Sequence, residues 1–173
     1  LVSVYVAANQ LPQAISELEA MVQKNPKNAA AITMIGFIYD KQQNYEKSRD
    51  AYEKLLALNP ESVIALNNLA YLYSDRLNRI DRAYELAQKA RGLQPADGSV
   101  ADTLGWVLYK RGDYQQALQL LQDSAGKLKD DPEVQFHLGM TYSMMGQAEP
   151  ARSALQNAIA SSGDFPDKAE AQR

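Results

Sequence analysis

Few residues in this sequence could carry out chemistry. It has one histidine, His137, and no cysteine. A serine–histidine–acid arrangement could combine His137 with Ser143 and Asp102, but no sequence pattern marks a nucleophile turn at this serine. We therefore predict that His137 is a surface or groove-lining residue and that the chain is not an enzyme.

The sequence also predicts no metal and no cofactor. The acidic residues Asp130, Asp131 and Glu133 are explained by a helix start, with an aspartate cap, Pro132 at the first position and an acid in the first turn. No histidine or cysteine spacing suits zinc, and the glycines do not form a phosphate-binding loop. The lack of cysteine excludes disulfides and is compatible with an oxidising or a reducing compartment.

Composition and charge narrow the classes of partner. The 173-residue chain is 46% hydrophobic and 23% charged, which is ordinary for a soluble globular protein. Its net charge of −3 gives no basic footprint for nucleic acid. No apolar run approaches ~18 residues, so no membrane insertion is predicted. The predicted partner is another protein.

An internal repeat must position these side chains. Small residues recur with spacings of 34, 35 and 34 in one series and of 34, 35, 34 and 34 in a second. The first series is Gly36, Ala70, Gly105 and Gly139, and the second is Ala14, Ser48, Ala83, Ala117 and Ala151. Both series lengthen by one residue in the same unit. A single inserted residue near Leu77 is therefore predicted.

Each unit is predicted to be a pair of helices. In one unit Gly105 and Leu108 have the spacing of one face of a first helix. A turn follows at residues 111–113, and Ala117 and Leu121 continue one face of a second helix. The small residues let the two backbones approach closely. Because one helix pair cannot bury its apolar face alone, we expect successive pairs to stack.

These positions resemble the tetratricopeptide repeat (TPR) pattern, W-x2-L-G-x2-Y…A-x3-F…P. One unit matches it with Ile35, Gly36, Tyr39, Ser48, Tyr52 and Pro60. The others match it with Leu69, Ala70 and Tyr73, with Leu104, Gly105 and Leu108, and with Leu138, Gly139 and Tyr142. The resemblance covers essentially the whole chain. It implies an all-α, right-handed TPR solenoid of antiparallel helix pairs with about four and a half repeats.

The repeat predicts how one solenoid domain is divided. We expect a partial repeat at 1–28, complete repeats at 29–62, 63–97, 98–131 and 132–165, and the start of a further or capping helix at 166–173. The 63–97 repeat holds the inserted residue, and a break is predicted from Gly163 to Pro166. Residues 1–8 carry no initiator methionine and no helix cap. We therefore expect a fragment of a longer repeat protein, whose uncapped ends could self-associate.

The resemblance implies that the first helices line a concave surface that holds the ligand. Just after the small packing residue, the four complete units carry Phe37, Tyr71, Trp106 and Met140. Neighbouring positions that complete the predicted partner-binding set are Asn67, Asn68, Asp102, Tyr109, Lys110 and Phe136. Two interpretations stay open: a groove with aromatic anchors, or side chains that pack between adjacent first helices. Trp106 is the strongest single candidate for a partner contact.

One TPR ligand class is excluded on sequence. TPR co-chaperones that clamp a carboxylate use lysine and arginine with asparagine at defined first-helix positions. Here Asn68 alone fits, and residues such as Thr33, Ser99 and Thr103 stand where bases are expected. The carboxylate clamp is therefore absent.

The predicted function is a non-catalytic scaffold that binds a peptide or helix of another protein on the concave face. The stretches LNNLAYLYSDR and VADTLGWVLYKRGDYQQALQLL resemble bacterial TPR proteins of the cell envelope, several of which serve exopolysaccharide secretion or lipoprotein-linked assembly. This resemblance favours the bacterial envelope, with the cytoplasm as the alternative. Two other roles stay open: a regulatory or substrate-presenting segment of a larger enzyme, and a self-assembly spacer.

Overall fold

The computed structural model describes residues 1–161 and 164–173, so the predicted break at Gly163 begins outside the described residues. The helices within those ranges are α1 (Val2–Ala7), α2 (Leu11–Lys24), α3 (Ala29–Lys41), α4 (Tyr45–Leu58), α5 (Val63–Asp75), α6 (Ile80–Leu93), α7 (Gly98–Arg111), α8 (Tyr114–Lys127), α9 (Pro132–Met144), α10 (Ala148–Ala160) and α11 (Lys168–Ala171). The same residues contain no β-strand. None of these helices has both the length and the apolar character needed to cross a bilayer.

The helices form antiparallel pairs that stack into a solenoid. Helix α1 packs on α2, α3 on α4, α5 on α6, α7 on α8, and α9 on α10. Each second helix then packs on the first helix of the following pair, and the first helices α5, α7 and α9 also contact one another. Helix α7 therefore has neighbours on every side, and nine of its residues are buried. The stacked pairs supply the core that one pair alone lacks.

Side-chain caps fix where several helices begin. The side chains of Asn28, Asn44 and Ser62 each accept a hydrogen bond from a backbone N–H in the first turn of the following helix. Asp97 and Asp131 each accept two such bonds. The predicted start of α9, with an Asp131 cap and a proline at the first position, is confirmed. These acceptors satisfy N–H groups that have no partner inside the helix.

A left-handed residue occurs in the turn inside every helix pair. The positive-φ residues are Asn9, Gln43, Asn78, Gly112 and Gly146, and their spacings are 34, 35, 34 and 34. The turn between α5 and α6 has four residues, 76–79, whereas the turn between α3 and α4 has three, 42–44. The extra residue lies where both small-residue series lengthen. Asparagine and glycine suit this conformation, but glutamine does not.

Replacement of Gln43 by glycine is expected to raise the free energy of unfolding by about 0.5 to 1 kcal/mol. Glycine removes the steric penalty that an L-residue has at φ 59, and this gain exceeds the greater freedom that glycine adds to the unfolded chain. Urea denaturation would measure the change. The matched control is Gln42→Gly, because Gln42 has φ −81 and gains no such relief. Equal effects of the two substitutions would contradict the prediction.

Close helix contacts occur at the glycines of the first small-residue series. A Cβ atom on Gly105 would lie 2.8 Å from Cγ of Leu121, and one on Gly139 would lie 2.7 Å from Cγ of Leu155. At Gly36 the ring of Tyr52 lies equally near. The small residue on the second helix also contacts this glycine, because the hydroxyl of Ser48 donates to the Gly36 carbonyl at 2.7 Å. Thus the glycine accommodates a large side chain of the second helix as well as the small residue predicted to face it.

Candidate functional site

The predicted partner-binding residues fall into classes of very different exposure. Phe37 is 51% exposed, whereas Trp106 is 3% exposed and Phe136 is 1% exposed. Lys110 is exposed, and the remaining six residues are partly buried: Asn67, Asn68, Tyr71, Asp102, Tyr109 and Met140. The structure therefore leaves only part of the predicted set on the surface.

Residues 164–173, here called the C-terminal segment, account for this division. Phe165 and Ala171 are buried in one cluster with Trp106 and Phe136, and the rings of Phe136 and Phe165 are 5.8 Å apart. The segment thus covers the part of the concave face that α7 and α9 form. Trp106 and Phe136 are predicted from the sequence to contact a partner directly, but in this structure both are core residues.

Trp106 lies at the centre of an aromatic stack. Its indole ring is 4.4 Å from the ring of Tyr109 and 4.0 Å from that of His137, and both pairs are nearly parallel. The indole N–H donates to Asp75 at 3.0 Å. Lys110 pairs with the same carboxylate at 3.5 Å. These contacts join α5, α7 and α9, and they satisfy the one polar atom of the indole.

His137 is fully buried, so the prediction of a surface or groove-lining histidine is wrong. Its Nδ1 lies 2.9 Å from a carboxylate oxygen of Asp102, and stacking on Trp106 holds the ring away from water. Burial alone would lower the pKa of His137, but the charge and hydrogen bond of Asp102, together with the charges of Glu133 and Asp75, raise it above its ordinary value. Ser143 is exposed and forms no hydrogen bond to His137 among the described residues. The pair has the geometry of a buried structural contact.

Three carboxyl groups on or near the inner face have pKa values above the ordinary values for their side chains. Glu133 accepts a hydrogen bond from the hydroxyl of Tyr71 at 2.6 Å, yet burial raises its pKa above the ordinary value. Burial likewise raises the pKa of Asp40 and of Asp167. Burial is the largest cause of all three shifts, so these carboxyl groups are partly removed from water.

The raised pKa of His137 predicts that the protein becomes less stable as pH rises above neutrality. The native state holds the His137 proton more tightly than the unfolded chain, so the stabilisation is complete below the unfolded pKa of about 6.5 and is lost as pH rises through the higher folded pKa. Urea denaturation between pH 6 and pH 9 would measure this slope. His137→Asn, which keeps a donor towards Asp102 but does not titrate, should flatten it. An unchanged slope in the variant would contradict the assignment.

Part of the concave face stays open. We call it the open groove, a cavity of about 270 Å³ between α3, α5, α7 and the start of α9. Its lining includes Phe37, Asp40, Lys41, Asn67, Asn68, Tyr71, Asp102, Asp131 and Glu133. It continues into a space of about 1010 Å³ beside the C-terminal segment, which shares Asp40, Lys41, Tyr71, Asp131 and Glu133. The two spaces therefore adjoin one another along these residues.

Sequence reasoning missed two features of this site. Glu133 was assigned to helix capping alone, although its spacing of four residues from His137 places both on one helix face. The sequence predicts residues 166–173 as the start of a further or capping helix, but it does not predict that the C-terminal segment packs in one cluster with Trp106 and Phe136. Within residues 1–161 and 164–173, no group of three histidine, cysteine, aspartate or glutamate residues is arranged to hold a metal ion.

Comparison with protein families supports the repeat architecture. Three tetratricopeptide repeat models match the chain, at residues 29–62, 51–89 and 108–172. A similar curated protein is the TPR repeat-containing protein PA4667 of Pseudomonas aeruginosa, which is 27% identical over 131 residues and 76% of this chain. The chain spans 22% of the length of that relative.

Comparison with solved structures supports the same fold. The type IV pilus biogenesis factor PilW is similar with a TM-score of 0.82 and 21% identity, over 97% of this chain and 77% of PilW. YrrB, described as a TPR protein with an unusual peptide-binding site, is similar with a TM-score of 0.68 and 20% identity, over 99% of this chain and 88% of YrrB. At these identities the likeness establishes the fold.

Proposed function

Since this chain is a tetratricopeptide repeat protein with an all-α, right-handed solenoid fold, we propose that it is a non-catalytic scaffold that binds a peptide or helix of another protein in the open groove. The observation that carries this proposal is the exposure of Phe37. Its ring is 51% exposed on the inner face and borders a cavity lined by Asn67, Asn68 and Tyr71. An aromatic anchor beside polar side chains is typical of protein-binding surfaces.

The proposal extends to a role in the bacterial cell envelope. It is supported by the sequence resemblance to envelope TPR proteins and by the similarity to PilW, a type IV pilus biogenesis factor. YrrB, whose description names a peptide-binding site, supports the class of ligand. Both the binding of a protein partner and the location in the cell envelope are parts of this proposal.

Site-specific photo-crosslinking would test the groove directly. A photoreactive phenylalanine analogue placed at position 37 is expected to crosslink a partner in lysate of the source organism. The matched control carries the same analogue at Leu58, an exposed apolar position on α4. Adducts from position 37 alone, mapped to one peptide of the partner, would support the proposal. Equal adducts from both positions, or adducts from position 58 alone, would contradict it.

Self-association through the apolar surface of α1 is a second proposed interaction. Leu1, the residue before α1, and Val4 within it are 70% and 64% exposed, so apolar surface is accessible at this end of the solenoid. Sedimentation velocity over a range of concentrations should show association that Val4→Glu abolishes. An unchanged sedimentation coefficient across the range would remove this role. A regulatory or substrate-presenting role in a larger enzyme stays a prediction.

A further inference from the structure

The open groove contains side-chain hydrogen-bond acceptors that have no donor or only one. Among the described residues, the carboxylate of Asp40 forms no hydrogen bond and no ion pair, although it lines the cavity and Lys41 and Arg76 lie near enough to offset part of the rise in its pKa. The buried Oδ1 of Asn67 has no donor. Glu133 accepts one side-chain hydrogen bond, from Tyr71. Because buried acceptors without donors are unfavourable, this surface favours a ligand that supplies N–H groups.

The charged side chains that line the open groove also favour a positively charged ligand. The described residues that line the 270 Å³ cavity include four carboxylates, Asp40, Asp102, Asp131 and Glu133, and one cation, Lys41, and the adjoining space adds Asp164, Arg76 and Lys168. The ammonium group of Lys41 lies 5.4 Å above the ring of Phe37. A concave surface with an excess of one charge concentrates its field inside the groove, so it attracts a positively charged ligand.

Existing contacts occupy the cations near this groove. Arg76 pairs with Asp75 at 3.4 Å, and Lys110 pairs with the same carboxylate at 3.5 Å. His137 Nδ1 lies 2.9 Å from the carboxylate of Asp102. Burial is the largest cause of the raised pKa values of Asp40 and Glu133, and the charges of neighbouring cations only partly offset it.

We propose that the ligand of the open groove is an extended, arginine-bearing segment of another protein. This inference rests on the proposed function and specifies its partner. One guanidinium group enters the cavity between Asp40 and Glu133, and the side chain packs against the exposed ring of Phe37. Arginine is favoured over lysine because its planar fork donates to two acceptors at once and stacks on aromatic rings. An acidic segment is disfavoured by repulsion from four carboxylates.

Selection from a random decapeptide phage library would test the chemistry without a known partner. Selected peptides are expected to be enriched in arginine and to have a net positive charge. Peptides that require the Phe37 side chain but show no enrichment in arginine or lysine would overturn the cationic inference and keep the proposed function. If no selected peptide depends on Phe37, both the inference and the proposed function fail.

A charge-neutralising variant makes the test specific to one side chain. Asp40→Asn keeps the shape of the residue and removes its charge, so a selected arginine peptide should bind about tenfold more weakly by fluorescence anisotropy. The matched control is Asp81→Asn, because Asp81 is exposed on α6 outside this cavity. Near-ultraviolet circular dichroism would verify that both variants are folded. Equal affinity of the Asp40 variant and the parent protein would overturn the proposed contact.

Discussion

The Trp106→Ala variant is expected to lose about 3 to 5 kcal/mol of unfolding free energy, the usual loss for a large aromatic side chain in a core. The variant loses two parallel ring contacts and the hydrogen bond to Asp75. It also removes the indole N–H that donates to the nearly buried carboxylate of Asp75. Urea denaturation followed by far-ultraviolet circular dichroism would measure the change.

The control for this variant is Phe37→Ala. Phe37 occupies the equivalent position of an earlier repeat, but its ring is 51% exposed. Its truncation is expected to change the unfolding free energy by less than about 1 kcal/mol. Similar losses in the two variants would contradict the burial of Trp106 in the aromatic stack.

The Gly105→Leu variant is expected to lose about 3 kcal/mol of unfolding free energy through overpacking. A Cβ atom at this position would lie 2.8 Å from Cγ of Leu121 and 3.4 Å from the backbone carbonyl oxygen of Ala117. The side chain of Leu121 could shift by a rotamer change, but the backbone of α8 could move only with the whole helix. Thermal and urea denaturation would both report the loss.

Gly126→Leu is the matched control for overpacking. Gly126 lies near the end of α8, and a Cβ atom there would have no neighbour within 4 Å. Leucine has the higher helix propensity, so this variant should be as stable as the parent or slightly more stable. Equal destabilisation of the two variants would contradict the close contact at Gly105.

The sequence predicted the fold because the repeat is a local and redundant signal. Positions 36, 105 and 139 require glycine because two helices approach closely there. The spacing of these glycines therefore indicates how the helices pack. The aspartate and proline before α9 likewise act within one helical turn. Such features require no knowledge of distant parts of the chain.

The burial of the site depends on contacts that the repeat does not encode. Phe37 and Trp106 occupy equivalent positions, yet Phe37 is exposed, whereas Trp106 is buried in a cluster that includes Phe136 and Phe165. Asp40 and Glu133 lie far apart in sequence and line the same cavity only after α3 and α9 approach. The excess of negative charge in the groove therefore emerges from the tertiary structure, whereas the chain as a whole has a net charge of only −3.

The C-terminal segment makes the two parts of the concave face unequal as binding surfaces. A ligand that needs Trp106 must first displace Phe165, so its apparent Kd exceeds its intrinsic Kd by the inverse of the fraction of molecules in which the segment is undocked. A ligand confined to Phe37, Asn67 and Asn68, which do not line the space beside Phe165, meets no such competition. Any substitution that weakens the packing of Phe165 would therefore increase affinity at the covered part.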